Sequence, residues 1–397
     1  MKHLNITGTG LVTALGMSVA ETWRALMAGQ FIRDHAKVEV CKESQYPRVT
    51  TLAFRAANEA IASAGWQGDQ VSDDATALIV GTSKGPIERW MTAVPFPPSP
   101  GTPGEGWGEG SPKPATVSTT TPPLQNYRTK NVASPTIGLH EVAESLSREL
   151  QLGFGPRLTI SAACSSGLHA LIHAALLLKS GQAKRALVVA AEASVHPLFI
   201  GSFKRLGVLP PEGHGCRPFD ANRSGFLMSE AAAAICLEAS DSASGLAQLD
   251  RFALGADATH LTGVDPSAKT LGRLLKRVID TRQVDLIHAH GTGTQMNDPV
   301  ELTAIEECIE STDGHPILYS HKGAIGHSLG ASGLVSVVLN LESHRTGLIP
   351  PNIQTTAPLP TRRVRLGESS ISTPIRRSLA IAAGFGGPIA VVSCISA

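Results

Sequence analysis

Short apolar runs alternate along this chain with stretches whose apolar residues recur every three to four positions. Leu78-Ile79-Val80, Leu158 to Ala163, Ala186 to Ala191 and Ala231 to Leu237 read as buried strands, as do the opening Met1 to Gly10 and Asp285 to His290. Helical periodicity marks 18–28, 51–64, 136–151, 165–179, 268–281, 299–309 and 330–343. This alternation predicts α/β layers with mainly buried sheets. One segment breaks it: nine of the 26 prolines fall between Pro95 and Pro123, among glycines and a Ser/Thr run, so neither helix nor central strand can persist there. We read about 94–123 as an extended surface insertion.

A weak internal repeat organises the rest. Cys164-Ser165-Ser166-Gly167-Leu168 leads into an Ala/Leu helix, and His327-Ser328-Leu329-Gly330-Ala331-Ser332-Gly333-Leu334 leads into another of the same character. The halves 1–240 and 245–397 therefore look like copies of one βα-rich unit, and a twofold pairing of copies brings equivalent loops to one central site.

Composition narrows the function classes. Hydrophobic residues make up 42% but aromatics only 4%, so Ala, Leu, Val and Ile must build a core of closely packed helices and sheets. A formal charge of +1, from 34 basic and 33 acidic residues, provides no global field for nucleic acid or anionic membrane, and an acidic partner needs a local basic patch. Six cysteines (41, 164, 216, 236, 308 and 394) form no C-x-x-C pair, which argues against a zinc site or a disulfide framework. No apolar run approaches the roughly 20 residues of a membrane span, and the N-terminus does not read as a signal peptide. A reducing, cytoplasmic location is the expectation.

Candidate chemistry lies at three junctions. Cys164 stands where an apolar strand gives way to a helix, where unpaired amides and the helix dipole favour thiolate. His290 ends a strand and opens Gly291-Thr292-Gly293-Thr294, and His327 lies in Lys322-Gly323-Ala324-Ile325-Gly326-His327. A lone cysteine or histidine in such a place is more often structural, but three reactive side chains at three alike junctions form a constellation.

These segments, with Gly384-Phe385-Gly386-Gly387, Pro218-Phe219-Asp220, Arg223, Gly225-Phe226, Asp298 and Glu301, resemble in order those of the decarboxylating β-ketoacyl-(acyl carrier protein) synthases of the thiolase superfamily, from about residue 156 to the end. The resemblance implies a thiolase-like fold: two pseudo-duplicated halves in a layered αβαβα core. It also implies acyl transfer from a carrier protein to Cys164, then decarboxylative Claisen condensation with malonyl thioester in fatty-acid, polyketide or polyene synthesis. Amides of Cys164 and Phe385 would form the oxyanion hole, and His290 and His327 would stabilise the enolate. Lys322 and Glu301 would pair beneath them, Thr292 and Thr294 would hold the pantetheine arm, and Phe385 would gate the nucleophile. No metal or cofactor of its own is implied, only phosphopantetheine brought by the acyl carrier protein. The carrier would dock at Lys204 and Arg205 in an entrance loop, with Arg128 and Lys130 as the next candidates. A homodimer, or a heterodimer with a related condensing subunit, is expected.

Departures point to a specialised member: Ala383 replaces a second aromatic, Pro388 removes an amide donor, and Ser224 stands where an Asp is usual. The rival reading is a chain-length-factor-like partner subunit, which Cys164 argues against because such partners generally lack the nucleophile. A degradative thiolase would use a C-terminal cysteine as base, and Cys394 lies beyond Gly384 to Gly387 in the terminal strand.

Overall fold

The computed structural model describes residues 2–40, 44–93, 138–310 and 314–397. The expected insertion at 94–123, Cys41, Arg128 and Lys130 lie outside them. Helices Val19–Met27, Arg48–Ala64, Glu141–Glu149, Ser166–Lys179, Lys269–Ile279, Asn297–Ile309 and Ser332–Thr346 answer the seven periodic stretches. Several elements were not named from the sequence, among them the helix Ile87–Ala93 and the strands Ile317–Tyr319 and Arg377–Ala383, and two more show why. In the strand Ala247–Ala256 the charged Asp250 and Arg251 interrupt the apolar run. The helix Pro197–Arg205 opens on a proline, which suits a first helical turn, and buries only Phe203.

Among the described residues eleven strands form one sheet whose two sides repeat a single plan, while Leu348–Ile349 and Ile371–Ser372 pair separately. From one edge inward run Arg157–Ile160, Thr76–Gly81 and Arg185–Glu192, mutually parallel, then Ala231–Ser240 and His3–Thr13, antiparallel. From the other edge, inside the short strand Arg365–Leu366, run Ile317–Tyr319, Leu286–His288 and Arg377–Ala383, parallel, then Pro388–Ser396 and Ala247–Ala256, antiparallel. Numbered within its own half, each set has the order third, second, fourth, fifth, first. Asn5 paired with Gln248, and Ile6 with Ala247, join the halves.

Helices cover this sheet in layers. Arg48–Ala64 and Glu141–Glu149 bury their apolar faces on the outer side of the first half, with Val12, Val80 and Val189. Lys269–Ile279 and Asn297–Ile309 do the same on the second half, with Ile287, Leu379 and Val391. Between them lies the core shared by both halves, built on Ser166–Lys179 and Ser332–Thr346. These two central helices are the members of the repeat, and each follows the third strand of its half. They pack so closely that a Cβ on Gly167 would lie 3.1 Å from Leu334 Cβ, and one on Gly333 would lie 2.7 Å from Leu168 Cγ. The small residues are therefore the condition for two helices to share one layer. Among the described residues no helix is long and apolar enough to cross a membrane.

Candidate active site

Parallel strands deliver their following loops to one end of a sheet, and here the duplication does so twice. Loops after the second, third and fourth strands carry Lys84, Cys164 and Ser194 in the first half. Their counterparts in the second carry His290, His327 and Phe385. Cys164, His290, His327, Thr292, Thr294 and Phe385 line one cavity of about 450 Å³.

Cys164 precedes the helix Ser166–Lys179 by a tight turn. The expected strand through Ala163 stops at Ile160, because Ala163 turns back with φ of 47° and the amide of Ser165 bonds to the carbonyl of Ala162. The Phe385 backbone faces the thiol and favours its charged form. Its place at a helix start does not by itself yield a thiolate. Burial pushes the thiol up to about 11, opposed most strongly by Lys84 and then by Lys322.

The imidazoles of His290 and His327 meet edge to face, their centroids 5.5 Å apart. Phe226 backs His327 at 4.9 Å, Phe203 packs on Phe226, and Phe203 also meets Phe385 at 6.2 Å. Burial, and then the charge of Lys322, hold both imidazoles well below the usual histidine range, so they are neutral near pH 7. Among the described residues Nδ1 of His327 is buried without a partner, which favours the proton on Nε2, since an orphaned N–H is the costlier vacancy.

Lys322 and Glu301 require a correction as well. No ion pair joins them: the Lys322 ammonium donates to the carbonyl of His290, while Glu301 accepts from the amides of His290 (2.6 Å) and Gly291 (2.8 Å) and from Asn297 Nδ2 (3.0 Å). Both side chains are buried, and both grip the backbone of the same histidine from different sides. Burial pushes Lys322 down to about 8, against the opposing pull of Glu301, and pushes Glu301 up to about 7. Asp298 continues this bracing by accepting from the amides of Phe219, Thr292 and Gly293. The hydroxyls of Thr292 and Thr294 bond to each other at 2.8 Å on the cavity wall. Glycine is required at 326, where φ is 82° and a Cβ would meet Ile32 Cδ1 at 2.6 Å.

Sequence reasoning missed three contributors. Leu206 to Leu209 and Pro211 form one wall, Thr262 to Val264 another, and Lys84 supplies charge. The first two are apolar or neutral loops without a motif, and the third lies 80 residues from the cysteine it acts upon. Lys204 and Arg205 occupy the last turn of the helix Pro197–Arg205 and not a loop; both are exposed beside the wall that begins at Leu206.

A duplicated sheet-and-helix unit with a thiol from one copy and two imidazoles from the other defines a protein of the thiolase-like class. Within it the chain belongs to the beta-ketoacyl synthase family: the model "Beta-ketoacyl synthase, N-terminal domain" matches residues 42–243, and "Beta-ketoacyl synthase, C-terminal domain" matches 246–356. The 3-oxoacyl-(acyl-carrier-protein) synthase 2 of Mycobacterium leprae is 31% identical over 212 residues, which are 49% of this chain and 50% of that protein. The protein of the same name from Rhizobium meliloti is 26% identical over 434 residues, covering 98% and 97%. The solved structure of the ishigamide ketosynthase/chain length factor superposes with a TM-score of 0.81 at 23% identity, covering 100% of this chain and 99% of that one.

Proposed function

We propose that the protein is a β-ketoacyl-(acyl carrier protein) synthase, an acyltransferase that condenses an acyl group with malonyl-(acyl carrier protein). The observation that carries this reading is the convergence of Cys164, His290, His327 and the Phe385 amide on one chamber. In the first half-reaction the Cys164 sulfur attacks the thioester carbonyl of the incoming chain. The amides of Cys164 and Phe385 receive the oxyanion, the pantetheine sulfur leaves, and the thiol proton ends on it.

In the second half-reaction malonyl thioester enters past Thr292 and Thr294. The bond to its carboxylate breaks, carbon dioxide departs, and the electron pair becomes an enolate whose oxygen accepts N–H bonds from His290 and His327. The enolate carbon attacks the acyl carbonyl and the Cys164 sulfur leaves. Lys322 and Glu301 position His290 through its backbone, and no metal or resident cofactor enters any step. Phosphopantetheine comes as part of the substrate.

The halves 1–240 and 245–397 serve as the enzyme's two structural units. The acyl carrier protein docks near Lys204 and Arg205, the protein works as a dimer with itself or a related subunit, and it acts in the cytoplasm. That the relatives from Mycobacterium leprae and Rhizobium meliloti are 3-oxoacyl-(acyl-carrier-protein) synthases supports the carrier-bound substrate. The test is mass spectrometry after incubation with acyl carrier thioester. The native protein gains one acyl group on Cys164, and Cys164→Ala gains none. His290→Ala and His327→Ala load normally but fail to release carbon dioxide from malonyl thioester. An acyl adduct on Cys164→Ala, or normal decarboxylation in both histidine variants, overturns the reading.

A further inference from the structure

A buried thiol needs a nearby cation to react as thiolate, and the imidazoles do not supply one. His290 and His327 are neutral, and the Lys322 ammonium is committed to the His290 carbonyl. Among the described residues the other cation acting on the thiol is Lys84. It follows the strand Thr76–Gly81, the second of its half, whose counterpart Leu286–His288 leads to His290. The duplication therefore brings the loop that carries Lys84 to the end of the sheet where the Cys164 turn lies.

Local contacts hold it there. Ser83, the residue before it, donates from its amide (2.9 Å) and hydroxyl (2.5 Å) to the fully buried Glu192, which also accepts from Ser194 Oγ (2.5 Å) and the Gly330 amide (3.3 Å). The half-buried ammonium lies over the ring of Phe199, 5.5 Å from its centroid, and Phe199 packs in the same apolar cluster as Cys164, Phe203 and Phe385. Among the described residues Lys84 has no hydrogen-bonded or ion-paired carboxylate partner. The charge of Lys84 also favours the ionised form of Glu192, and a cation held beside apolar groups acts over a longer range than one in water.

We propose that Lys84 is a positioning residue of the condensing reaction: its ammonium, anchored through Ser83 and Glu192 and laid over Phe199, steadies the Cys164 thiolate that accepts the acyl chain. The charged and titratable groups acting on Cys164 are then Lys84 from the loop after Thr76–Gly81, Glu192 at the end of its strand, and Lys322 from the segment before His327, with the neutral His290 and His327 across the chamber. Glu192 opposes the thiolate and the two lysines favour it.

The inference rests on Cys164 being the nucleophile, but its test reads the thiol directly and needs no acyl substrate. The rate of Cys164 alkylation by iodoacetamide is measured from pH 7 to 11 by mass spectrometry on the native protein, Lys84→Met and Lys84→Arg. At pH 8, below the midpoint in every variant, Lys84→Met should react about tenfold more slowly because its midpoint moves up by about one unit. Lys84→Arg should restore the native profile. Overlapping profiles for the native protein and Lys84→Met overturn the inference. So does a Lys84→Met defect confined to long acyl chains with the profile unchanged, since Lys84 would then read the chain and not the sulfur. If Lys84→Met does not fold, Lys84→Gln gives the same comparison, with circular dichroism confirming its fold.

Discussion

Gly384→Ala is the sharpest perturbation of the proposed oxyanion site. A Cβ built at Gly384 lies 2.9 Å from the Ala162 carbonyl oxygen, 3.0 Å from Ala163 Cβ and 3.1 Å from the Cys164 nitrogen. None of these is the free end of a flexible side chain, so the strain can relax only by parting the Cys164 turn from the Phe385 loop. Those two segments supply both proposed oxyanion donors. The Gly384 amide is tied to the Pro388 carbonyl at 2.8 Å, which resists movement on the other side. Overpacking of this kind costs roughly 1–3 kcal/mol in stability. Losing one oxyanion donor outright lowers a rate by roughly 10²–10³, so a displacement of a few tenths of an ångström should slow acyl loading by about 10–100-fold. The assay is a quenched single turnover at saturating acyl carrier thioester, with the Cys164 adduct counted by mass spectrometry and urea unfolding run in parallel. Loading at the native rate in a folded Gly384→Ala protein would refute the reasoning.

Three further outcomes are expected. Gly272→Ala, within the helix Lys269–Ile279 where an added Cβ meets nothing within 4 Å, should stabilise the fold by up to about 1 kcal/mol in urea unfolding and leave loading unchanged. His288, buried and bonded to Asn340 Oδ1 (3.0 Å) and His321 (2.8 Å), is pushed down to about 3 by burial. The unfolded chain therefore takes up a proton near pH 6.5 that the folded one refuses, and stability is lost as pH falls from there toward 3. His288→Asn should flatten the loss measured by urea unfolding between pH 6 and 4, by up to about 1.4 kcal/mol per pH unit. Reversing Lys204 and Arg205 to Glu should raise the apparent KM for carrier-bound substrate at low salt and leave a small thioester mimic unaffected; equal loss with both would assign these residues to structure.

The fold was legible because its signals are local and repeated. Each apolar run or periodic stretch names its element, and the likeness between the segments after Cys164 and His327 discloses the duplication that the strand order then displays. The reactive residues were legible for a related reason: the close approach of two chain segments demands glycine and small residues, so Gly167, Gly326 and Gly384 advertise the junctions where chemistry sits. What stayed hidden depends on distances that spacing cannot encode. Lys322 and Glu301 stand 21 positions apart whether they touch each other or, as here, both grip the backbone of His290. Lys84 has no motif at all, because a cation that acts through space needs no fixed neighbours in sequence.

In the proposed reaction the placement of charge also gives a reason for neutral imidazoles. An imidazolium beside malonyl thioester would bind its carboxylate in the ground state and oppose departure of carbon dioxide, which begins by withdrawing charge from that carboxylate. A neutral N–H interacts weakly with the starting thioester oxygen and strongly with the enolate oxygen, so its contribution appears where the barrier lies. Burial first, and Lys322 second, keep the rings in that state. Buried and itself strained toward neutrality, Lys322 helps to hold both imidazoles low without touching either ring, and its bond to the His290 carbonyl fixes the backbone from which one ring projects. Lysine suits this place better than arginine. A compact ammonium can satisfy one carbonyl in a closed space, whereas a guanidinium needs several acceptors in a plane.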